Sequence, residues 1–148
     1  MFSNIVVGFD GSEPSQNALK VACDLAQKYG SAVHLSHTPV HETVAFALGA
    51  VAGYHVATTM PKPEEIKEAS DKVFAQAQSI ADAAGGAKLV PHVGGGDPAH
   101  DMLDCANAVG ADLIVTGRRG LGNLTALMMG STSAHVAHHA KCACLTVA

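Results

Sequence analysis

Short apolar segments rich in β-branched residues alternate along the chain with longer segments whose apolar residues recur at helical spacing. The first apolar run, at residues 4–9, leads into the turn signal Asp10-Gly11-Ser12, and the helical pattern that follows ends at Gly30. Strict alternation predicts a parallel sheet with helices on both faces, because right-handed crossovers place them there. The predicted fold is an open, doubly wound, five-stranded, mostly parallel α/β sheet of the Rossmann-like type.

The same pattern predicts where the elements begin and end. Ser12 and Asp97 stand at helix N-cap positions, and Pro14 and Pro98 follow them in the first turn. Residues 39–63 have no clean period and stay unassigned, with a composition typical of a mobile or partly helical excursion. Strands are predicted at residues 4–9, 32–37, 87–93, 112–116 and 142–147, and helices at 13–29, 64–84, from 98 onwards, and at 131–140.

Length and composition indicate a single globular domain spanning residues 1–148, because 48% of the residues are hydrophobic and only 15% are charged. A net charge of −4 leaves no electrostatic footprint for nucleic acid or for an anionic membrane surface. The longest weakly polar stretch, 44–53, is far shorter than the roughly 20 residues of a membrane-spanning helix. The N-terminus lacks the pattern of a signal peptide, so a cytoplasmic protein is expected.

Four cysteines are too few for a scaffold built on disulfides. Cys23 and Cys105 fall within apolar helical patterns, where buried free thiols are common. Cys142 and Cys144 are separated by one residue, whereas redox motifs of the CxxC type have a two-residue spacer. Free thiols without redox or metal chemistry are expected.

A glycine-rich segment after the fourth predicted strand carries the strongest functional signal. Gly117, Gly120 and Gly130 have the spacing G-x2-G-x9-G-S, and the last of them opens a predicted helix with the sequence GSTS at 130–133. Glycines let backbone N–H groups approach a phosphate, and a helix N-terminus adds unpaired amides and a positive dipole end. The segment predicts a triphosphate cradle, in which a side chain at Gly117 or Gly130 would occupy the phosphate position and leave the fold intact.

The predicted topology draws attention to the ends of the first and fourth strands. Ligands of open parallel sheets bind beyond the carboxyl ends of the strands, where successive crossovers leave in opposite directions. Asp10 and Thr116-Gly117 occupy these ends. Asp10 either accepts hydrogen bonds from a ribose or only forms the turn and cap that Asp-Gly-Ser commonly makes. Arg118 and Arg119 are either solvated loop charges or charge-assisted donors to phosphate.

With these motifs, the chain resembles the ATP-binding branch of the universal stress protein family over nearly its whole length. The resemblance is carried by IVVGFDGS at 5–12, LSHTPV at 35–40, GDPAHDMLDCA at 96–106, ADLIVTGRRGLG at 111–122 and GSTSAHVAHHAKCACLTV at 130–147. It implies ATP as ligand, with an accompanying Mg²⁺ or Mn²⁺ left open, and a regulatory role in the stress response with unidentified protein partners. It also implies a homodimer formed through the last strand, at 145–147.

The resemblance further implies which residues contact the nucleotide. Asp10 corresponds to an acid that contacts the adenosine moiety, with Gly8 and Phe9 beside it. Thr38 occupies a position in the adenine pocket that is usually held by Val, which makes that wall more polar. The remaining implied contacts are Thr116 and Gly117 at the end of the fourth strand, Arg119 and Gly120 near the ribose and phosphates, and Gly130, Ser131, Thr132 and Ser133 in the phosphate-binding turn.

No motif for rapid phosphate chemistry accompanies this site. The chain contains no GxxxxGK[ST], and the loop after the first strand reads GFDGS at 8–12 in place of the SGGxDS of adenine-nucleotide alpha hydrolases. We therefore predict a nucleotide-binding protein that is not a fast ATPase, and no catalytic residue is assigned. Two alternatives stay open: a slow ATPase or a phosphotransferase that autophosphorylates Ser131 or Thr132, and an interaction module without nucleotide.

Three of the nine histidines, His135, His138 and His139, share one side of the last predicted helix. Two of them have a spacing that can hold a metal ion, but HExxH and a matching set of carboxylates are absent from the sequence. Histidines near a helix C-terminus interact favourably with the helix dipole. No metal site is predicted.

Overall fold

The computed structural model describes residues 1–49, 61–121 and 129–148, and within them the predicted alternation of strands and helices is confirmed. One element is additional, a short helix within the segment that the sequence left unassigned. In chain order the elements are β1 (Asn4–Gly8), α1 (Glu13–Tyr29), β2 (Ala32–His37), α2 (His41–Ala47), α3 (Pro63–Ala83), β3 (Leu89–Val93), α4 (Pro98–Val109), β4 (Leu113–Gly117), α5 (Ser131–His139) and β5 (Ala143–Val147).

The five strands form one sheet in the order β3-β2-β1-β4-β5, and every pair of neighbours is parallel. Val7 of β1 pairs with Leu35 of β2 on one side and with Val115 of β4 on the other. The chain proceeds outward from β1 to β3 and then returns past β1 to β4, so the direction of travel reverses between β1 and β4. The predicted doubly wound sheet is therefore confirmed.

Alternate residues of β1 face two separate cores. Ile5 and Val7 are fully buried against α1 and α3, and Val6 is fully buried against α4 and α5 on the opposite face. Burial of a side chain of this size stabilises the fold by roughly 1.5–3 kcal/mol. Because β1 is enclosed on both faces, its carboxyl end is a rigid support for the loop that follows it.

Local signals fix where two helices begin at the carboxyl edge of the sheet and where one of them ends at the opposite edge. Ser12 caps α1 by accepting a hydrogen bond from the N–H of Ser15 at 3.4 Å, and Gly30 ends that helix with a left-handed φ of 70°. Asp97 caps α4 by accepting from the N–H of Ala99 at 3.0 Å. The predicted caps and ends of α1 and the predicted cap of α4 are confirmed.

Helix α2 was missed because no side chain caps its first residue and its sequence lacks a clear helical period. Its Thr43 and Val44 are nevertheless buried, so tertiary packing stabilises this helix. Residues 50–60 of the unassigned segment at 39–63, together with Gly122, lie outside the described residues. None of the helices in the described ranges is long and apolar enough to cross a membrane.

Candidate functional site

A cavity of about 290 Å³ opens at the carboxyl edge of the sheet, and all twelve residues predicted as contacts line it. Those residues are Gly8, Phe9, Asp10, Thr38, Thr116, Gly117, Arg119, Gly120, Gly130, Ser131, Thr132 and Ser133. The sequence analysis missed seven further lining residues, which are Ser15, Ser36, Val40, Thr43, Pro98, Met102 and Leu121. Most of these lie at the ends of strands or in the first turns of helices, which is the signal that would have found them.

The cavity extends across three neighbouring strands, from the end of β2 through β1 to the end of β4. Adjacent strands lie about 4.8 Å apart, so these ends span about 10 Å. Thr38 lines the cavity near β2, Asp10 follows β1, and Gly117 and Ser131 line the cavity near β4. The two ends of the cavity therefore differ in chemistry, the β2 end being lined by hydroxyl and apolar side chains and the other end being rich in backbone amides.

The N-terminus of α5 forms the amide-rich end. Gly130 is the N-cap residue and no side chain caps the helix, whose first-turn N–H groups have no acceptor within the helix. The N–H of Gly130 donates to the carbonyl of Arg118 at 2.8 Å, and the N–H of Arg118 donates to the carbonyl of Val147 at 2.6 Å. This end of the loop is thereby tied to β5, and its amides and positive helix end suit an anion.

Ser133 lies at the same end but uses its hydroxyl proton within the loop. Its Oγ lies 3.1 Å from the carbonyl oxygen of Arg118 and 3.0 Å from that of Gly130, and the residue is only 3% exposed. Ser133 therefore holds the turn closed. Among the hydroxyl residues of the turn, Ser131 and Thr132 are better placed as donors to a ligand.

The three glycines of the loop serve different purposes. A Cβ on Gly120 would collide with Oδ2 of Asp10, and one on Gly130 would lie 3.2 Å from the carbonyl oxygen of Arg118. A Cβ on Gly117 would lie 2.9 Å from the backbone nitrogen of Ser15, in the first turn of α1. The expectation that a side chain at Gly117 would leave the fold intact is therefore wrong, because glycine is needed there for β4 to approach α1.

Asp10 forms the turn that its sequence context predicts. Its Oδ1 accepts hydrogen bonds from the N–H of Ser12 at 3.0 Å and from the hydroxyl of Ser12 at 2.5 Å, while Gly11 has a φ of 84°. These bonds form the turn that leads into α1. Oδ2 faces Gly120 across the cavity, where a carboxylate can accept hydrogen bonds from the hydroxyl groups of a ligand.

At the β2 end, three buried hydroxyl residues, Ser36, Thr38 and Thr43, line the cavity beside the apolar Val40. Thr38 Oγ1 donates to Oδ2 of Asp101 at 2.8 Å, and Thr43 Oγ1 donates to the carbonyl of Val40 at 2.8 Å. Thr38 is 7% exposed and Thr43 is 6% exposed. Met102 of α4 completes the wall on the other side of the sheet edge. A flat, weakly polar group fits this end better than a charged one.

His37 is a buried histidine at the end of β2. Its Nδ1 lies 3.0 Å from the carbonyl oxygen of Phe9, and its Nε2 makes no hydrogen bond to the described residues. Burial lowers the pKa of His37, and this effect outweighs the opposing effects of the bond to Phe9 and of Asp10. The neutral ring joins the ends of β1 and β2 and packs edge-on against Phe74.

The histidines of α5 form ring contacts on the protein surface. His135 and His139 are stacked with centroids 4.1 Å apart, and His100 of α4 lies 4.9 Å from His135. Within residues 1–49, 61–121 and 129–148, no group of three or more potential ligands is arranged to hold a metal ion. His138 and His139 occupy the last turn of α5, where the helix dipole favours a positive charge.

An all-parallel sheet that reverses direction at β1 and β4, with a cavity at that reversal, defines a doubly wound α/β protein whose site lies at the topological switch point. The model of the universal stress protein family matches residues 1–148, and the chain belongs to that family.

Similar proteins of known sequence or structure share both length and fold with this chain. The universal stress protein YxiE of Bacillus subtilis (strain 168) is 31% identical over 150 residues, which cover 99% of each chain. A universal stress protein from Archaeoglobus fulgidus superposes with a TM-score of 0.73 at 26% identity over 100% of both chains. A structure of the universal stress protein from Archaeoglobus fulgidus in complex with dAMP has a TM-score of 0.69 at 25% identity, covering 99% of this chain and 98% of that one.

Proposed function

We propose that this chain is a single nucleotide-binding domain spanning residues 1–148 that holds an adenine nucleotide, with ATP as its ligand, in the cavity between β1 and β4. The observation that carries the proposal is that twelve residues selected from sequence motifs all line one cavity. Its volume of about 290 Å³ lies at the lower end of the range for small-molecule sites. The dAMP complex of the Archaeoglobus fulgidus protein supports an adenine nucleotide as the ligand.

The chemistry of the two ends gives the ligand a direction. The phosphates bind at the N-terminus of α5, where Ser131, Thr132 and Arg119 line the cavity. The ribose lies at Asp10, whose carboxylate accepts from its hydroxyl groups. The base lies at the β2 end beside Thr38, where the wall is formed by uncharged side chains.

Native mass spectrometry of freshly purified protein and thermal melts with added ATP test the proposal. A nucleotide present at one hundred times its dissociation constant stabilises the folded state by about 2.7 kcal/mol, which gives a readily measured rise in Tm. The melts are repeated with Mg²⁺ or Mn²⁺ to establish whether either ion accompanies ATP. Absence of bound nucleotide, together with an unchanged Tm at millimolar ATP, would contradict adenine-nucleotide binding and favour the nucleotide-free interaction module.

In this proposal ATP is a bound ligand, and any hydrolysis of it is slow. Among the described residues that line the cavity, Arg119 is the only Lys or Arg, so the Lys of a P-loop has no counterpart there. Single-turnover assays with labelled ATP are expected to yield product only over many hours. Product within seconds would contradict the proposal.

Autophosphorylation is a second candidate, because Ser131 and Thr132 lie at the phosphate end of the cavity. In this reaction a hydroxyl oxygen attacks the γ-phosphorus of ATP, the bond to ADP breaks, and the hydroxyl proton passes to solvent. Mass spectrometry after incubation with ATP, compared with the double variant Ser131→Ala and Thr132→Ala, distinguishes phosphorylation of these residues from hydrolysis alone.

A cytoplasmic homodimer with a regulatory role in the stress response completes the proposal. β5 is an edge strand, and its residues Cys144 and Leu145 are exposed. An unpaired edge of this kind can add a strand from a second copy through Leu145–Val147. Regulatory protein partners would then bind the nucleotide-bound state selectively. Sedimentation velocity with and without ATP tests whether the dimer forms.

A further inference from the structure

The hydroxyl group of Thr38 has its proton directed away from the ligand. Oγ1 of Thr38 lies 2.8 Å from Oδ2 of Asp101, and a carboxylate only accepts, so Thr38 is the donor. The same carboxylate oxygen accepts from the N–H of Gly96 at 3.1 Å, which holds Asp101 between the loop after β3 and the end of β2. Thr38 can therefore offer the cavity only the lone pairs of its oxygen.

Thr43, the second threonine at this end, is committed in the same way. It donates to the carbonyl of Val40 at 2.8 Å and lies 3.3 Å from the carbonyl oxygen of Thr38. That carbonyl of Thr38 also accepts from the N–H of Val40 at 2.9 Å. Both threonine side chains that line the β2 end are thus fixed as acceptors. Val40 beside them is apolar, and Ser36 of β2 also lines the cavity there.

From this arrangement we infer that Thr38, held by Asp101, makes the cavity selective for a base with an exocyclic amino group, so that adenine is bound in preference to hypoxanthine. The inference rests on the proposed binding of an adenine nucleotide. The amino group of adenine donates to an acceptor, whereas the oxo group of hypoxanthine would face lone pairs without a proton between them. A buried pair of acceptors is unfavourable because neither is then satisfied.

Asp101 is the positioning residue in this arrangement. Alanine in its place removes the acceptor, which frees the hydroxyl proton of Thr38 to turn toward the ligand. The variant Asp101→Ala should therefore accept an oxo group better than the natural chain does. A residue that merely held the loop would change the affinity for both bases together.

Calorimetry with ATP and ITP tests the inference on the full chain and on the variants Thr38→Val, Thr38→Ser and Asp101→Ala. The natural chain is expected to bind ATP at least about tenfold more tightly than ITP. In Thr38→Val this preference should fall to about threefold or less, because the acceptor is lost at nearly constant volume. Thr38→Ser keeps the hydroxyl and should keep the preference.

The outcomes separate this inference from the function on which it rests. If the natural chain binds neither ATP nor ITP, the proposed function fails. If it binds ATP but Thr38→Val and Asp101→Ala leave the ratio of ATP to ITP affinity unchanged, the selectivity of Thr38 is refuted and nucleotide binding stands. Melting curves establish that each variant is folded, and should Thr38→Val not fold, the ratio measured for Asp101→Ala decides.

Discussion

A Cβ atom on Gly117, at the end of β4, would lie 2.8 Å from the carbonyl carbon of Pro14, in the first turn of α1. Real Cβ atoms do not approach backbone so closely, so Gly117→Ala must push β4 and α1 apart. We expect this variant to lower the free energy of unfolding by about 1–3 kcal/mol, which urea denaturation measures.

Gly95→Ala is the matched control for this variant. A Cβ on Gly95 would have no heavy atom within 4 Å, and its φ is not positive, so the added methyl group is expected to be neutral or stabilising by up to about 1 kcal/mol. Equal midpoints of urea denaturation for the two variants would show that the close approach of β4 to α1 does not require glycine at Gly117.

Asp10→Asn tests the ribose position of the proposed nucleotide. The amide oxygen can still accept from Ser12 and preserve the turn, but the second carboxylate oxygen is replaced by a donor. Loss of a charge-assisted acceptor should weaken ATP binding by about tenfold or more in calorimetry.

Asp71→Asn makes the same chemical change on the exposed surface of α3. Asp71 is paired with Lys67 at 2.6 Å and has a side chain that is 63% exposed, so its loss should affect neither affinity nor stability appreciably. Equal ATP affinity in both variants would remove Asp10 from the binding site.

The two edges of the sheet allow a controlled test of the dimer. Leu145 on β5 is 37% exposed and Val93 on β3 is 58% exposed, so both accept a charged side chain without disturbing the core. Leu145→Lys is expected to raise the dissociation constant of the dimer by about tenfold or more, because two lysines would meet at the interface. Val93→Lys should leave the dissociation constant of the dimer unchanged. Sedimentation velocity measures both variants, and a dimer weakened by Val93→Lys but not by Leu145→Lys would contradict dimerisation through β5.

His37 makes the stability depend on pH. Its pKa in the folded state is lowered by burial, so below about pH 6.5 the unfolded chain takes up a proton that the folded chain does not. The contribution of the neutral His37 to the free energy of unfolding is fully present above that pH. It falls as the pH drops, by up to about 1.4 kcal/mol per pH unit.

The variant His37→Phe should flatten this dependence between pH 7 and pH 5 in denaturation series. Part of it should persist, since burial and the neighbouring His92 also lower the pKa of His34. The exposed His138→Phe serves as the control and should retain the full slope. An unchanged slope in His37→Phe would rule out His37 as its source.

Features with short-range signals were predicted well from the sequence. The caps at Ser12 and Asp97, the end of α1 at Gly30 and the doubly wound order follow from turn chemistry and from period. Small differences occur at strand ends, such as β3 beginning at Leu89 instead of residue 87. The twelve contacts, which the family resemblance implied, line one cavity at the sheet edge that these signals predict.

Features that depend on contacts distant in sequence were missed. The bond between Thr38 and Asp101 joins residues 63 positions apart, and neither residue signals the other locally. The need for glycine at Gly117 likewise arises from the approach of Pro14, which no pattern near Gly117 reveals. Helix α2 forms through the burial of Val44 and its neighbours, so its stability is a property of the assembled fold.

The outer edge of β3 differs from that of β5 in one respect that bears on assembly. Gly94 donates its N–H to the carbonyl of His37 on β2. Backbone groups of successive residues in a strand point to alternate sides, so those of Pro91 point away from β2, toward the free edge. Proline has no N–H to donate there. An incoming strand would find a missing donor in the middle of that edge. In the proposed dimer, strand addition would therefore be confined to β5, and two copies joined there would form a closed pair that could not extend into a fibre.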